Sequence, residues 1–424
     1  MNTLVLSASV DFLEQPFLKP LQISSGLITQ ATEARVTVRV RVGDQEGTGR
    51  GSIYLSDLWA WPDSAPDRTA KDAAMRALCQ KLAGSLESLC RPAAHPLELG
   101  LRLHHAAATL PLATDMPLLA RAVCASPFDA ALHDAAGQAL GVSAFRFYDA
   151  DAPIPSADSW FPGGGAVQAI RQILRPPSST LPAWWVVGAG DDLEKSVRSA
   201  IERTGISGFK IKTLARDNAT DAARTAKIFR AAKSWGLDPV LSVDSNEGNP
   251  DAASVHDYLT RLEALDPEAF AALAYLEQPT SRDIVGRPQD WRAVTRLKPV
   301  LLDEGLTALD LLPLAREQHW SGLALKTCKG HSFALVAAAW ARENGLQLAL
   351  QDLTNPGYSA IHAFLFGAHL DTLNGIELNS PQYTPAANQP WLPALSALFE
   401  PRGGRHRLDA ADVPGLGSAL VPLP

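Results

Sequence analysis

The sequence is short of sulfur, with four cysteines (Cys79, Cys90, Cys124, Cys328) and three methionines in 424 residues. The cysteines match neither a metal cage nor a disulfide framework, which places the chain in a reducing compartment, the cytoplasm. No apolar run approaches the roughly 18 residues that a membrane-spanning helix requires. The opening MNTLVLSASVDFLEQ lacks a basic start and is interrupted by Asp11 and Glu14, so it does not read as a signal peptide. Excess positive charge is missing as well. The formal net charge is -7, which argues against nucleic acid or an anionic membrane as the main partner. Coiled-coil heptads and short repeats are absent, and Gly188-Ala189-Gly190 is only a weak match to a dinucleotide fingerprint.

What remains is an ordinary globular composition, 46% hydrophobic and 20% charged, with material for a large core. Residues 3–14 and 34–42 alternate or are rich in β-branched residues and read as strands. The stretch between them, PFLKPLQISSGLITQ, reads as a loop. Helical periodicity covers 69–90 and 96–109. A helix is expected over 124–140, with Ser126 or Asp129 as cap, Pro127 in the first turn and Gly141 just past the end. Residues 1–140 thus form an expected α+β capping domain. Residues 141–181 are a Pro/Gly-rich insertion or linker in which AVQAIRQIL is a candidate short helix. From 182 to 380, short apolar runs alternate with amphipathic helical stretches: PAWWVVG, GFKIK, PVLSVD, LAYLE, PVLLD, GLALK, LQLALQ and LNGIE. Each suits a strand buried on both faces. Eight such units predict an α/β fold, a (β/α)8 TIM-type barrel. Residues 381–424 read as a tail that returns to the capping domain. The ten tryptophans read as packing residues.

The chemistry lies at the ends of the runs, which a barrel brings to one small volume. In order they are Lys210 and Lys212, Asp244, Glu277, Asp303, Lys326, Gln351 and Glu377. Lys210 and Lys212 sit two apart and share one face of their strand. Alone they could be an edge blunted by charge or a paired-amine site. Three converging carboxylates repel unless a cation lies among them. Asp244, Glu277 and Asp303 come without His or Cys at the strand ends, an oxygen set that favours Mg²⁺ over Zn²⁺. Glu304, next to Asp303, is expected to point the other way as a supporting or salt-bridged acid. Lys212 and Lys326 come from the second and sixth runs, on opposite sides of an eight-membered ring. A substrate carboxylate on the metal would lie between them. One lysine can then remove the α-proton while the other donates on the opposite face, with the metal stabilising the enediolate. Lys210 is expected to hold the substrate anion and to depress the pKa of Lys212. Lys329 is expected in solvent; His331 either faces substrate or caps the next helix.

These segments together resemble the enolase superfamily, in its branch of muconate lactonising enzymes and dipeptide epimerases. FKIK, VDSNEG, YLEQPT, LLDEGL and LALKTCKGHS match the barrel. ISSGLITQATEARVTVRV and SPFDAALHDAAGQALG match the capping domain, and VPGLG matches the closing tail. The resemblance implies that Asp244, Glu277 and Asp303 bind Mg²⁺, that Lys212 and Lys326 are the acid/base pair, and that Asn246 orients a ligand or Lys210. It implies a loop at 16–30 reaching over the mouth, with Phe17, Lys19 and Ile23 able to touch a small-molecule carboxylate substrate. A homo-oligomer is expected. The seventh run ends in Gln351 where the mandelate racemase branch has a His base, so that branch is disfavoured. Dipeptide epimerases carry Asp-x-Asp after the eighth strand; here it is Glu377-Leu378-Asn379, one acid fewer. Racemisation or epimerisation is the leading expectation. Cycloisomerisation or syn elimination, of the muconate cycloisomerase or o-succinylbenzoate synthase kind, shares the first half-reaction. A non-catalytic barrel binding metal and carboxylate is the remaining alternative.

Overall fold

The computed structural model describes residues 1–23, 26–63, 65–352 and 354–420. The chain opens with an antiparallel sheet in the order β1 (Thr3–Ile23), β2 (Gly26–Val42), β3 (Gln45–Tyr54). β2 shows why: Ala34, Val36, Val38, Val40 and Val42 are buried while Arg39 and Arg41 face out, the period-two pattern of a half-covered strand. The expected loop at 16–30 is instead the end of a long hairpin, with Leu21 opposite Ile28 and Ile23 opposite Gly26. Its register breaks between Pro16 and Leu21, where Pro16 and Pro20 have no N–H to give to the ladder. Ser24 and Ser25, part of that expected loop, lie outside the described residues.

Helices α1 (Asp57–Ala60), α2 (Arg68–Leu89), α3 (Pro96–Thr109) and α4 (Leu118–Leu140) follow. α4 starts earlier than its sequence signals indicate, and Pro127 lies inside it. The helix carries on because Ser126 Oγ donates to the Val123 carbonyl at 2.9 Å, the acceptor that Pro127 cannot serve. α4 lies against β3 through Gly47, Gly49 and Gly51. A Cβ on Gly49 would come within 2.1 Å of the Ala135 backbone nitrogen, so glycine is what allows so close an approach.

The stretch 141–181 is built onto the body. Its helix α5 (Gly165–Ile173), the AVQAIRQIL segment, buries Val167 and Ile170. Ser156 donates to Glu98 of α3 through its backbone N–H and its hydroxyl, at 3.0 and 2.9 Å. A short strand β4 (Thr180–Pro182) then pairs with β12 (Arg405–Arg407) near the end of the chain.

Among the described residues the parallel sheet has seven strands: β5 (Trp184–Val187), β6 (Gly208–Lys212), β7 (Val240–Asp244), β8 (Leu273–Glu277), β9 (Val300–Leu302), β10 (Gly322–Lys326) and β11 (Gln347–Gln351), neighbours in chain order. Tyr275, Leu301, Ala324 and Ala349 pack together as an inner layer. The eighth run does not form a full strand. Its Glu377 makes one bridge to Gln351. The side from there to β5 is spanned by a side chain: Gln382 accepts from Val186 N–H at 3.1 Å and donates to its carbonyl at 2.7 Å, as a neighbouring strand would. Downstream, the tail docks on α4, where Leu416 N–H donates to Asp134 at 2.7 Å. No helix among the described residues is long and apolar enough to cross a membrane.

Candidate active site

Strand register assembles the charges. Lys212, Asp244 and Glu277 stand side by side across β6, β7 and β8, and Lys326 stands beside Gln351, itself bridged to Glu377. Asp303 follows the last residue of β9. The side chains form a line of alternating sign. Lys212 Nζ lies 2.5 Å from Asp244 Oδ2, and Lys210 Nζ lies 3.2 Å from the same oxygen. Lys210 also reaches Glu277 at 2.9 Å and Glu377 at 3.1 Å. Lys326 bridges Glu277, at 3.3 Å, and Asp303. Lys329 closes the line, 3.1 Å from Asp303 Oδ1.

Lys329 is therefore not in solvent: it is 3% exposed. The 3-10 turn Thr327–Lys329 carries its ammonium back onto Asp303. His331 neither faces the mouth nor caps its helix through its side chain. It is fully buried, and its Nδ1 lies 2.9 Å from His362 Nε2.

Burial raises the cost of every charge here, and the alternation answers it. Burial opposes the Lys210 ammonium, but Glu277, Glu377 and Asp244 outweigh it and hold its pKa well above the ordinary value. Lys326 is raised in the same way by Asp303 and Glu277. Asp303, despite burial, is held well below the usual carboxylate range by Lys326 and Lys329. Burial wins at Glu277, which is pushed up to about 7 against the pull of Lys210. At Glu304, burial and neighbouring Asp303 push the carboxyl up to about 8.

Asn246, held at φ 43°, accepts from Lys212 Nζ at 2.9 Å and donates to Glu304 at 3.2 Å. Among the described contacts it serves Lys212, not Lys210. Glu304 also accepts the indole N–H of Trp59 at 2.7 Å, so it is a buried hydrogen-bonding acid rather than a salt-bridged one.

Among the described residues no three acidic, histidine or cysteine side chains stand as a ready metal cage. The ammonium groups of Lys210 and Lys326 occupy the spaces between the carboxylates. The donor chemistry is nonetheless uniform, buried carboxylate oxygen. Asp244, Glu277 and Asp303 are the groups that could hold a hard cation.

Above the charges lies a cavity. Lys210, Lys212, Lys326, Asp244, Asn246 and Glu377 line its floor, whereas Glu277 and Asp303 lie beneath the lysines. Much of its wall is apolar, with Gln30, Ser56, Asp57, Asp352 and Thr354 adding polar groups. Phe17, Ile23 and Ile28 come from the hairpin, Trp59 from α1, Val186 from β5, and Tyr383 from beyond the eighth run. Lys19 does not line it. Its ammonium pairs with Asp191 at 3.1 Å and lies 5.2 Å from the Tyr383 ring. Trp59, Tyr383, Asp352 and Val186 are lining residues that sequence reasoning passed over. Nothing in LWAW separates Trp59 from a packing tryptophan, because its partner Glu304 lies 245 positions away.

No family model matches the chain. An aromatic dipeptide epimerase from Herpetosiphon aurantiacus is 26% identical over 99% of this chain and 100% of that relative. Among solved structures, a dipeptide epimerase from Enterococcus faecalis, complexed with Mg and the dipeptide L-Leu-L-Tyr, superposes with a TM-score of 0.67 at 17% identity, covering 98% of this chain and 99% of that one. A muconate lactonizing enzyme from Pseudomonas fluorescens, complexed with muconolactone, gives 0.62 at 21% identity, covering 100% and 98%. These likenesses bear out the resemblance drawn from the sequence, to the enolase superfamily and to its muconate-lactonising and dipeptide-epimerase isomerases.

Proposed function

We propose that the chain is a Mg²⁺-dependent racemase or epimerase that moves the proton α to a substrate carboxylate, using Lys212 and Lys326. One observation carries the reading. Both amines line one cavity, and along the row of charges they are separated by Asp244, Lys210 and Glu277. A substrate α-carbon over the middle of that line has an amine on each face. Asp244, Glu277 and Asp303 fit as the Mg²⁺ ligands by their donor chemistry, and Mg-complexed neighbours support the ion. Bound there, the ion would neutralise the negative charge that builds on the substrate carboxylate as the α-proton leaves.

The chain's own residues do the rest. One lysine Nζ takes the proton from the α-carbon on its face; the other returns a proton on the opposite face, and the configuration inverts. Lys210, ringed by Glu277, Glu377 and Asp244, keeps its charge and sets the positions of the acids and of the substrate anion. The apolar part of the wall, Phe17, Ile23, Ile28, Trp59, Val186 and Tyr383, suits a carboxylate with an aromatic or bulky apolar side chain. Glu377 and Asp352 line the same cavity and offer carboxylates to a substrate ammonium. Asn379, in place of a second acid, donates to Glu377 at 2.7 Å. A dipeptide ending in an aromatic residue is therefore the first class to try, and the relative that matches along the whole chain is named an aromatic dipeptide epimerase.

The test is a screen of dipeptides, N-acyl amino acids, betaines, lactones and sugar acids in D₂O with Mg²⁺, read by NMR. Deuterium is expected at the α-carbon of both the recovered substrate and its epimer, and chelation with EDTA should abolish it. A dehydrated or cyclised product with no epimer would replace this reading with elimination or cycloisomerisation. Tight binding without any exchange would leave only a binding protein.

A further inference from the structure

Trp59 stands apart from the other cavity walls because it reaches the charged floor as well. Its ring lies 5.1 Å from Lys326 Nζ, within range of the attraction between an ammonium and the electron-rich face of an indole. Its N–H is committed elsewhere, to Glu304 at 2.7 Å. Its backbone carbonyl accepts from Arg282 at 3.0 Å, and Arg282 in turn is bonded to Glu247 at 2.8 Å. Ring, indole nitrogen and backbone are all tied to the barrel end, although Trp59 belongs to the N-terminal part of the chain.

Glu304 is the centre of this arrangement. It is 1% exposed, and the oxygen that accepts from Trp59 also accepts from Asn246 at 3.2 Å. Asn246 accepts from Lys212 at 2.9 Å. One acid thus sends a limb to each amine: Asn246 toward Lys212 and Trp59 toward Lys326. Glu277 and Asp303 hold Lys326 from below. The indole meets it from the cavity side, where a substrate α-carbon would arrive.

We propose that Trp59 is a positioning residue for Lys326, with its hydrogen bond to Glu304 fixing the ring that aims the ammonium. The proposal rests on the two-lysine reading above. It makes the limbs separable. Weakening the Trp59 limb should harm proton transfer on the face served by Lys326, and weakening the Asn246 limb should harm the face served by Lys212. A merely structural defect slows both faces together.

The probes are L-Ala-L-Phe and L-Ala-D-Phe. Each is incubated in D₂O with Mg²⁺ and the whole chain, and the initial rate of α-deuterium uptake into each epimer is measured for the unaltered protein, Trp59→Phe and Asn246→Ala. The ratio of the two rates is the readout. Trp59→Phe, which keeps a ring and loses the N–H, should shift that ratio at least fivefold. Asn246→Ala should shift it in the opposite direction. Equal slowing of both epimers in Trp59→Phe, or shifts in the same direction for the two variants, would overturn the proposal. Circular dichroism monitors folding. Should Trp59→Phe not fold, Trp59→Tyr takes its place with the same expectation, and if neither folds Trp59 serves packing and the proposal fails. If the unaltered protein exchanges neither dipeptide nor any acid of the wider screen, the two-lysine reading falls first and takes this one with it. Exchange in the unaltered protein without the opposed shifts sinks this one alone.

Discussion

Two regions of the molecule bury titratable side chains, and they solve the same problem in opposite ways. At the barrel mouth, burial is met by opposite charge: Lys210, Lys326 and Lys329 alternate with Asp244, Glu277 and Asp303. At the seam between α4 and the helices His331–Glu343 and Gly357–Ala368, burial is met mainly by neutrality. The His331 and His362 rings lie 5.0 Å apart, and His133 lies 4.5 Å from His331. Burial pushes His362 down to about 3 and His331 well below its ordinary value. The single acid there, Asp129, is wrapped by Ser332 N–H and Oγ at 2.8 Å each and by His104 at 3.2 Å. Both regions hold strongly shifted groups, but Lys210 and Lys326 open onto a cavity, whereas His331, His362 and Asp129 are packed away. A displaced pKa marks burial; access to a cavity separates a site from a joint.

The largest effect that would test this contrast is catalytic. Lys212→Ala and Lys326→Ala should each reduce α-proton exchange by about 10²–10⁴-fold, measured by NMR in D₂O, whereas comparable changes at the seam should leave exchange per folded molecule intact. If a seam variant abolished exchange while remaining folded, the contrast would collapse. Asp129→Asn comes next: it removes the charge that Ser332 N–H, Ser332 Oγ and His104 address and should lower unfolding stability by about 1.5–3 kcal/mol, read from urea melts.

His362→Leu should cost less, about 1–2 kcal/mol at pH 7, by leaving His331 Nδ1 without its partner. Its pH dependence is the sharper test. The fold resists protonating His362, while the unfolded chain takes a proton near pH 6.5, so stability tied to this imidazole is complete above about 6.5 and drains away as the pH falls toward its folded value. The gap between the parent and His362→Leu should therefore shrink below that pH, by up to about 1.4 kcal/mol per unit. A gap that widens on acidification would mean the imidazole is charged in the fold. The smallest effect belongs to Lys19, whose pair with Asp191 is partly exposed. Lys19→Ala should cost under about 1 kcal/mol, with exchange rates unchanged; a large rise in KM would return Lys19 to the substrate.

The barrel runs were readable because β6 to β11 are apolar on both faces and any charge at their ends stands out. Lys210, Lys212, Asp244, Glu277, Asp303 and Lys326 do come together. The hairpin was hidden by Pro16 and Pro20, since a break in two N–H groups looks like a loop while the strand resumes at Leu21. The start of α4 was hidden by Pro127, whose missing donor is replaced by Ser126. Lys329 was misread because its burial depends on a single turn, and Trp59 because its contacts reach across the chain to Glu304 and Lys326. Local patterns carry strands and their ends. They do not carry which distant surface covers them.

The clasp of Gln382 on Val186 spans 196 positions, and that distance has a consequence for birth as well as for architecture. As the chain leaves the ribosome, the first parallel strand must wait with one edge unmet until residue 382 has been made. Its last neighbour is then an amide on a turn, not a ladder. This contact is thus deferred until long after Val186 has been made, and truncation just before residue 382 should leave an open-edged, association-prone sheet rather than a smaller working enzyme.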